Sequence, residues 1–186
     1  DTITRYFLLK ILERFHNMYP GIKIEIVNRV TGETLEKLNA GEVDVAFISM
    51  PIEMTEYTNV KVREFGELHD VFIAGNNYDY LKDKTLSMSD IVSLPLVMLE
   101  PKSNTRKTTD DFFKSKDIIL EPEFELGSHD LLFDFAKNNL GIACVTEEFT
   151  KEIGSSDVFK LKTDFSIPKR SIGICKSGVK PSKEFS

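Results

Sequence analysis

The chain has few of the residues that several common classes of protein depend on. Its 186 residues include no tryptophan, two cysteines and three histidines. No run of about 18 apolar residues occurs, so the sequence offers no candidate transmembrane helix. Lysine and arginine number 24 against 30 aspartates and glutamates, which gives a formal net charge of −6. This acidic balance argues against a surface that binds free nucleic acid.

The cysteines and the first residues bear on the cellular compartment. Cys144 and Cys175 lie in the apolar runs "IACV" and "IGICK", which are typical of buried free thiols in a reducing compartment. The opening "DTITRYF" has neither the basic start nor the apolar run of a secretion signal. We therefore expect a cytoplasmic protein that uses no disulfide.

Sequence signatures of metal and nucleotide sites are missing. The histidines and cysteines show no H-x-x-x-H, C-x-x-C or H-E-x-x-H spacing. The glycines form neither G-x-G-x-x-G nor G-x-x-x-x-G-K-[ST]. We expect neither a metal nor a cofactor.

Ser128, His129 and Asp130 have the residue types of a hydrolytic triad, but they are consecutive. Neighbours on a helix point about 100° apart, so these three cannot form the serine–histidine–aspartate relay among themselves. No G-x-S-x-G elbow occurs either. We interpret Ser128 as a helix N-cap and Asp130 as an acid at the positive helix end. No catalytic residue is assigned, and a hydrolase that uses Ser128 stays the least favoured alternative.

The first part of the chain alternates helix and strand patterns. Apolar residues recur at helical spacing from Ile3 to Tyr19, and Pro20-Gly21 ends that helix. The alternating "KIEIVN" predicts a strand. A second helix begins at Thr31 or Gly32 and stops at Gly41, and the apolar "VDVAFI" predicts a buried strand of a parallel sheet.

The long extended stretch "VKVREFGELHDVFIAG" interrupts this rhythm and predicts a crossing between two lobes. The elements expected after it are helices at 89–92, 105–116 and 128–137 and strands at 96–98, 123–126, 141–145, 158–162 and 170–176. Strands joined by helices imply parallel pairing. We predict an α/β fold of two lobes with a ligand cleft between them, joined by two extended crossovers. Lobe I comprises residues 1–71 and 161–186, and lobe II comprises residues 72–160.

Polar residues open three of the predicted helices after a strand. These residues are Thr31, the run Ser103–Thr105, and Ser128. Free N–H groups at helix starts favour small anions, and Arg106 and Lys107 add positive charge nearby. The polar residues at any one of these helix starts are also explained by ordinary N-capping. Together they predict a site that holds a small anion without transforming it.

Three segments in register resemble LysR-type transcriptional regulators. They are "YPGIKIEI" with "VTGETLEKLNAGEVDVAFI", then "LPLVMLEPKSNTRKTTDDFF", then "ELGSHDLLFDFAKNNLGIACV". The resemblance implies an effector-binding domain with the fold of type 2 periplasmic binding proteins. It also implies a homodimer or tetramer that reaches promoter DNA only through a winged helix-turn-helix domain, which this chain lacks. The ligand-binding positions it implies are Thr2, Thr31, Ser103, Asn104, Thr105, Ser128 and Thr146.

The sequence departs from the family pattern at both ends. Family domains begin with a strand and end with a longer helix, whereas this chain starts at the first helix and stops at "KPSKEFS". We expect a fragment trimmed at both ends. A free-standing solute-binding protein of a transporter shares the fold and remains the alternative. It predicts a secretion signal upstream of Asp1, where the regulator predicts a helix-turn-helix.

Overall fold

A computed structural model describes residues 3–52, 57, 59–152 and 157–177. The chain divides into two compact units, Asp1–Glu67 with Arg170–Ser186, and Leu68–Lys169. We call them unit 1 and unit 2. Within the described ranges, no helix is long and apolar enough to cross a membrane.

Unit 1 combines two helices with a three-stranded sheet. Its elements are a π-helical turn (Thr4–Leu8), α1 (Leu9–Met18), α2 (Thr31–Asn39), β1 (Val45–Ser49), β2 (Val60–Leu68, whose last residue enters unit 2) and β10 (Arg170–Ser177). The sheet order is β1-β10-β2, and β1 runs antiparallel to β10.

Helix α2 packs on this sheet through the two leucines that its helical spacing places on one face. Leu35 and Leu38 are fully buried and form a core with Ala46, Ile48 and Cys175. The helix ends where Gly41 adopts φ +73°, a left-handed conformation that glycine takes readily. The Gly41 N–H donates to the Leu38 carbonyl at 3.1 Å, and the Glu42 N–H donates to the Lys37 carbonyl at 2.9 Å. These two bonds form a Schellman C-cap.

Unit 2 is built around a five-stranded mixed sheet in the order β6-β5-β7-β3-β8, beside a two-stranded sheet, β4-β9. Its strands are β3 (Asp70–Gly75), β4 (Thr85–Leu86), β5 (Leu96–Leu99), β6 (Phe124–Leu126), β7 (Ile142–Thr146), β8 (Val158–Lys160) and β9 (Lys162–Thr163). Its helices are a 3-10 turn (Asn76–Leu81), α3 (Met88–Val92), α4 (Asn104–Lys114), α5 (His129–Lys137) and α6 (Glu147–Glu152).

Both faces of the large sheet are covered, and the two faces of β3 show this clearly. Phe72 belongs to a core with Phe113 of α4, whose rings lie edge to face at 6.2 Å. Ile73 belongs to a second core with Leu132 of α5. Because neighbouring strand residues point to opposite faces, α4 and α5 cover opposite sides of the sheet.

Most of the predicted helices and strands are confirmed, including β5, α4, α5 and β7. Cys144 and Cys175 are buried and free, as expected from their apolar surroundings. The predicted strand "KIEIVN" is wrong, because residues 22–30 form no strand and are exposed. Alternation favours a strand only where another strand is available to pair with it, and no described strand pairs with this segment.

The expectation of parallel pairing holds for only part of the molecule. Strand β5 is parallel to β6 and to β7, and helices connect these three strands along the chain. In contrast, β3 is antiparallel to β7 and β8, and β1 is antiparallel to β10. Strands β3 and β10 each follow an extended segment, so no helical crossover turns them parallel.

Candidate functional site

Three parallel strands of unit 2 end at one edge of its sheet. Leu99 of β5 lies opposite Leu126 of β6, and the Glu100 N–H donates to the Leu126 carbonyl at 3.0 Å. Strand β7, on the other side of β5, ends at Thr146. Helices α4 and α5 begin shortly after β5 and β6. The structure therefore places Ser103, Asn104, Ser128 and Thr146 along the same edge, which we call the ligand edge.

Ser128 is the N-cap of α5, as predicted. Its Oγ accepts from the Leu131 N–H at 3.4 Å. The capping geometry follows from the extended backbone at Ser128, φ −144° and ψ 152°. His129, next in sequence, is buried, and Asp130 is exposed. Ser128 thus caps the helix, and Asp130 lies in its first turn.

Ser103 occupies the corresponding position before α4 but behaves differently. Its hydroxyl makes no cap hydrogen bond, although its backbone is extended at φ −68° and ψ 135°. Its side chain and that of Asn104 are half-buried. Thr105 is 7% exposed, and its carbonyl accepts from the Thr109 hydroxyl at 3.0 Å. Ser103 is therefore a hydroxyl at the ligand edge that capping does not consume.

The expectation that Arg106 supplies positive charge to a ligand is wrong. Its side chain is 7% exposed, and its guanidinium donates to both carboxylate oxygens of Asp110 at 2.8 and 2.9 Å. It also donates to Glu125 at 2.8 Å and to the Leu99 carbonyl at 3.0 Å. Burial acts to lower the pKa of Arg106, but the bonds to Glu125 and Asp110 outweigh it and raise that pKa. The cation is committed to two carboxylates of its own unit, whereas Lys107 is exposed.

Thr146 ends β7 in a buried pair. It is fully buried, lies opposite Asp70 in the antiparallel β3–β7 ladder, and donates its hydroxyl to the Asp70 carboxylate at 2.9 Å. Asp70 itself is 2% exposed. The Thr146 hydroxyl thus orients an acid at the ligand edge.

The remaining predicted positions lie elsewhere. Thr31 is the first residue of α2, after Val30 in the N-cap position, and belongs to unit 1. Thr2 lies outside the described residues. The structure thus gathers five of the seven predicted residues, Ser103 to Thr105, Ser128 and Thr146, on unit 2.

Two acids at the ligand edge escaped prediction from the sequence. Asp70 begins the otherwise apolar run "DVFIAG". A charged residue at the start of a buried strand is the sequence signal that could have identified it. Glu100 directly follows β5. If residue 127 carried a Cβ in place of the glycine hydrogen, that atom would lie 3.2 Å from the Glu100 Oε1. Alongside these acids, the edge offers hydroxyl, amide and backbone N–H donors, which can bind and orient an oxyanion.

Comparisons with known proteins agree on one family. The family model described as "LysR substrate binding domain" matches residues 1–177. The HTH-type transcriptional activator CmpR of Synechocystis is 28% identical over 145 residues, 78% of this chain and 47% of CmpR. The RuBisCO operon transcriptional regulator of Acidithiobacillus ferrooxidans is 25% identical over 143 residues, 77% of this chain and 45% of that protein. The chain thus spans about half the length of the curated relatives it matches.

A solved structure extends the likeness to the fold. The Synechocystis CcmR regulatory domain, determined in complex with 2-PG, superposes with a TM-score of 0.82 at 20% identity. The match covers 98% of this chain and 86% of that one. The fold is that of LysR effector-binding domains, a mixed α/β fold like type 2 periplasmic binding proteins. From its sequence and its fold, the chain belongs to the LysR substrate-binding-domain family.

Proposed function

We propose that the chain is the effector-sensing domain of a LysR-type transcriptional regulator and that its effector is a small anion. The observation that carries the proposal is the ligand edge, where two helices start beside the ends of three parallel strands. Partial positive charge at helix starts stabilises anions at such edges. The 2-PG complex of the similar CcmR domain supports an anionic effector.

The proposed contacts use hydroxyl, amide and backbone N–H donors at the ligand edge. Ser103 and Asn104 supply a hydroxyl, an amide and the first N–H groups of α4. Ser128 supplies the start of α5. The full set of proposed ligand-binding positions remains Thr2, Thr31, Ser103, Asn104, Thr105, Ser128 and Thr146. Within this set we assign Thr146 an indirect role, because its hydroxyl donates to Asp70.

We propose binding without catalysis. The family is one of transcriptional regulators, not enzymes. Ser128 accepts a hydrogen bond from the helix backbone, which is a capping role. A nucleophilic serine instead needs its oxygen bonded to a general base.

The wider setting follows from family membership. We propose that the whole regulator is cytoplasmic, assembles as a homodimer or tetramer, and contacts promoter DNA through a domain outside this chain. Membership favours this assignment over a solute-binding protein of a transporter, because the similar curated proteins are regulators.

A thermal-shift panel of small anions and amino-acid-like metabolites, including 2-PG, tests the proposal. A ligand at a hundredfold excess over its Kd stabilises a protein by about 2.7 kcal/mol. We expect at least one compound to raise the Tm, and we expect Thr31→Val and Asn104→Ala each to remove that rise.

Two matched variants control for the loss of a polar group. Thr34→Val changes another threonine of α2, and Asn77→Ala changes an exposed asparagine after β3, at the opposite edge of the sheet. Both are expected to keep the full shift. Retention of the shift in Thr31→Val and in Asn104→Ala would refute the assigned site.

A further inference from the structure

Unit 2 contains a pocket of about 470 Å³ between the start of β3 and the segment that follows β8. Its volume is within the range of about 300–1,000 Å³ that small-molecule sites occupy. Its apolar wall consists of Val71, Phe72, Leu161, Phe165 and Ile167. Its polar wall consists of His69, Asp70, Lys160, Lys162, Thr163 and Ser166. None of the ligand-edge helix starts lines it.

Two basic side chains of this pocket, Lys160 and His69, already contact a carboxylate. Glu147, which is not itself among the lining residues, places Oε1 2.5 Å from the Lys160 Nζ and Oε2 3.3 Å from the His69 Nδ1. The other ring nitrogen of His69, Nε2, lies 3.0 Å from the Ser166 hydroxyl. The Glu147 N–H also donates to the His69 carbonyl at 2.7 Å, which fixes the two residues side by side. Lys160 and the Nδ1 side of His69 therefore accommodate a carboxylate, and Ser166 holds the opposite side of the ring.

The charges around the pocket are balanced only while Glu147 stays in place. Lys160 and Lys162 contribute two positive charges, and Asp70 and Glu147 contribute two negative ones. Asp70 is 2% exposed and accepts from Thr146 at 2.9 Å, so its charge is engaged within the sheet. The carboxylate of Glu147 is less deeply held, with a side chain 27% exposed. Withdrawal of Glu147 would leave a lining that contains two lysines and one buried aspartate.

We propose that this pocket is a second anion site, in which a small carboxylate or inorganic oxyanion replaces Glu147 at Lys160 and His69. Glu147 then acts as a resident competitor that keeps the site closed to weakly binding anions. Of the proposed effector contacts, Ser103, Asn104 and Ser128 do not line this pocket, while Thr146 bonds to its Asp70.

The ionisation of Glu147 fits this role. The Lys160 ammonium, and after it the His69 ring, hold the pKa of the Glu147 carboxyl below its ordinary value. The group is therefore a carboxylate at neutral pH, like the anions it would exclude. Its ion pair with Lys160 is partly exposed, and pairs of that kind are weak enough for a dissolved anion to displace.

Titration of inorganic phosphate into the ¹⁵N-labelled chain, at constant ionic strength set with sodium chloride, tests the proposal. We expect saturable shifts of the His69, Lys162 and Ser166 amides. Glu147→Gln removes the competitor and is expected to tighten phosphate about fivefold, or about 1 kcal/mol at 1.4 kcal/mol per tenfold. Lys160→Gln is expected to weaken it by about the same factor. Both side chains reach solvent, so both variants should keep the fold, which the dispersion of the spectra verifies.

Two further variants separate this site from general charge effects and from the effector site. Lys116→Gln removes an exposed lysine after α4 and should leave the phosphate Kd unchanged. Asn104→Ala should abolish any response at the start of α4 while the response at Ser166 persists. The proposal fails if Glu147→Gln does not tighten binding, if Lys160→Gln binds as well as the unaltered chain, or if the Ser166 response disappears in Asn104→Ala. That failure would leave the effector site untouched, since the panel with Thr31→Val tests it independently.

Discussion

At the scale of single residues, the ligand edge contains an acid that the sheet almost completely buries. A buried carboxylate is costly unless hydrogen bonds compensate for its lost hydration. Thr146 provides one such bond to Asp70 across the β3–β7 ladder at 2.9 Å. Arg106 shows the same principle for a cation, because Asp110 and Glu125 both bind its guanidinium. These two buried charges of unit 2 are thus bonded within the chain.

The Thr146 hydroxyl should contribute measurably to stability. Thr146→Val keeps the shape of the side chain but removes a hydrogen bond to a charged group, which typically contributes about 1.5–3 kcal/mol. We expect the free energy of unfolding, measured in urea, to fall by that amount. Thr109→Val is the matched control, because its buried hydroxyl donates to a neutral carbonyl, a bond that contributes about 1 kcal/mol. Equal losses in the two variants would contradict the assigned role of Asp70.

Glu147 should make stability depend on pH in the acid range. Lys160 and then His69 lower its pKa in the folded chain, so its contribution is fully present above the ordinary glutamate pKa. It is lost as the pH falls through the lowered folded value. Glu147→Gln should flatten this part of the stability profile in urea melts between about pH 7 and pH 3. The exposed Glu36→Gln on α2 controls for the loss of one negative charge, and identical profiles for the two variants would refute the effect.

At the scale of elements, α2 depends on two glycines with opposite requirements. Gly41 has φ +73°, a backbone conformation that strains any residue with a Cβ. Gly32 lies within α2, and a Cβ added there would have no other atom within 4 Å. Gly41→Ala should destabilise the chain by about 1 kcal/mol. Gly32→Ala should stabilise it by up to about 1 kcal/mol, because alanine favours helix more than glycine does. Thermal unfolding of the two variants measures both effects. A change in Tm of the same sign in both variants would contradict this account.

The elements that sequence predicts well are those with local causes. Helix α2 follows from the spacing of Leu35 and Leu38 and from Gly41, and α5 follows from its cap at Ser128. The "KIEIVN" segment fails because a strand needs a partner, which no local pattern supplies. The pairing of Arg106 with Glu125 likewise joins residues 19 positions apart. The donors of the candidate site were therefore predictable, whereas the engagement of Arg106 and the burial of Asp70 required the fold.

At the scale of the whole molecule, the net charge predicts whether the chain binds nucleic acid. A formal net charge of −6 and a calculated pI near 5.2 disfavour contact with a phosphate backbone. We expect the chain alone to leave duplex DNA unshifted in gel retardation at low salt, where nonspecific binding is strongest. Retardation that weakens as salt is added would show a DNA-binding surface that this account does not contain.

The central claim is that a small anion binds at the ligand edge of unit 2. A crystal structure of the chain grown with the anion that raises the Tm most tests it directly. The account predicts density for that anion within hydrogen-bonding distance of Ser103, Asn104 and Ser128. Density for the anion only elsewhere, with water alone beside the starts of α4 and α5, would contradict it.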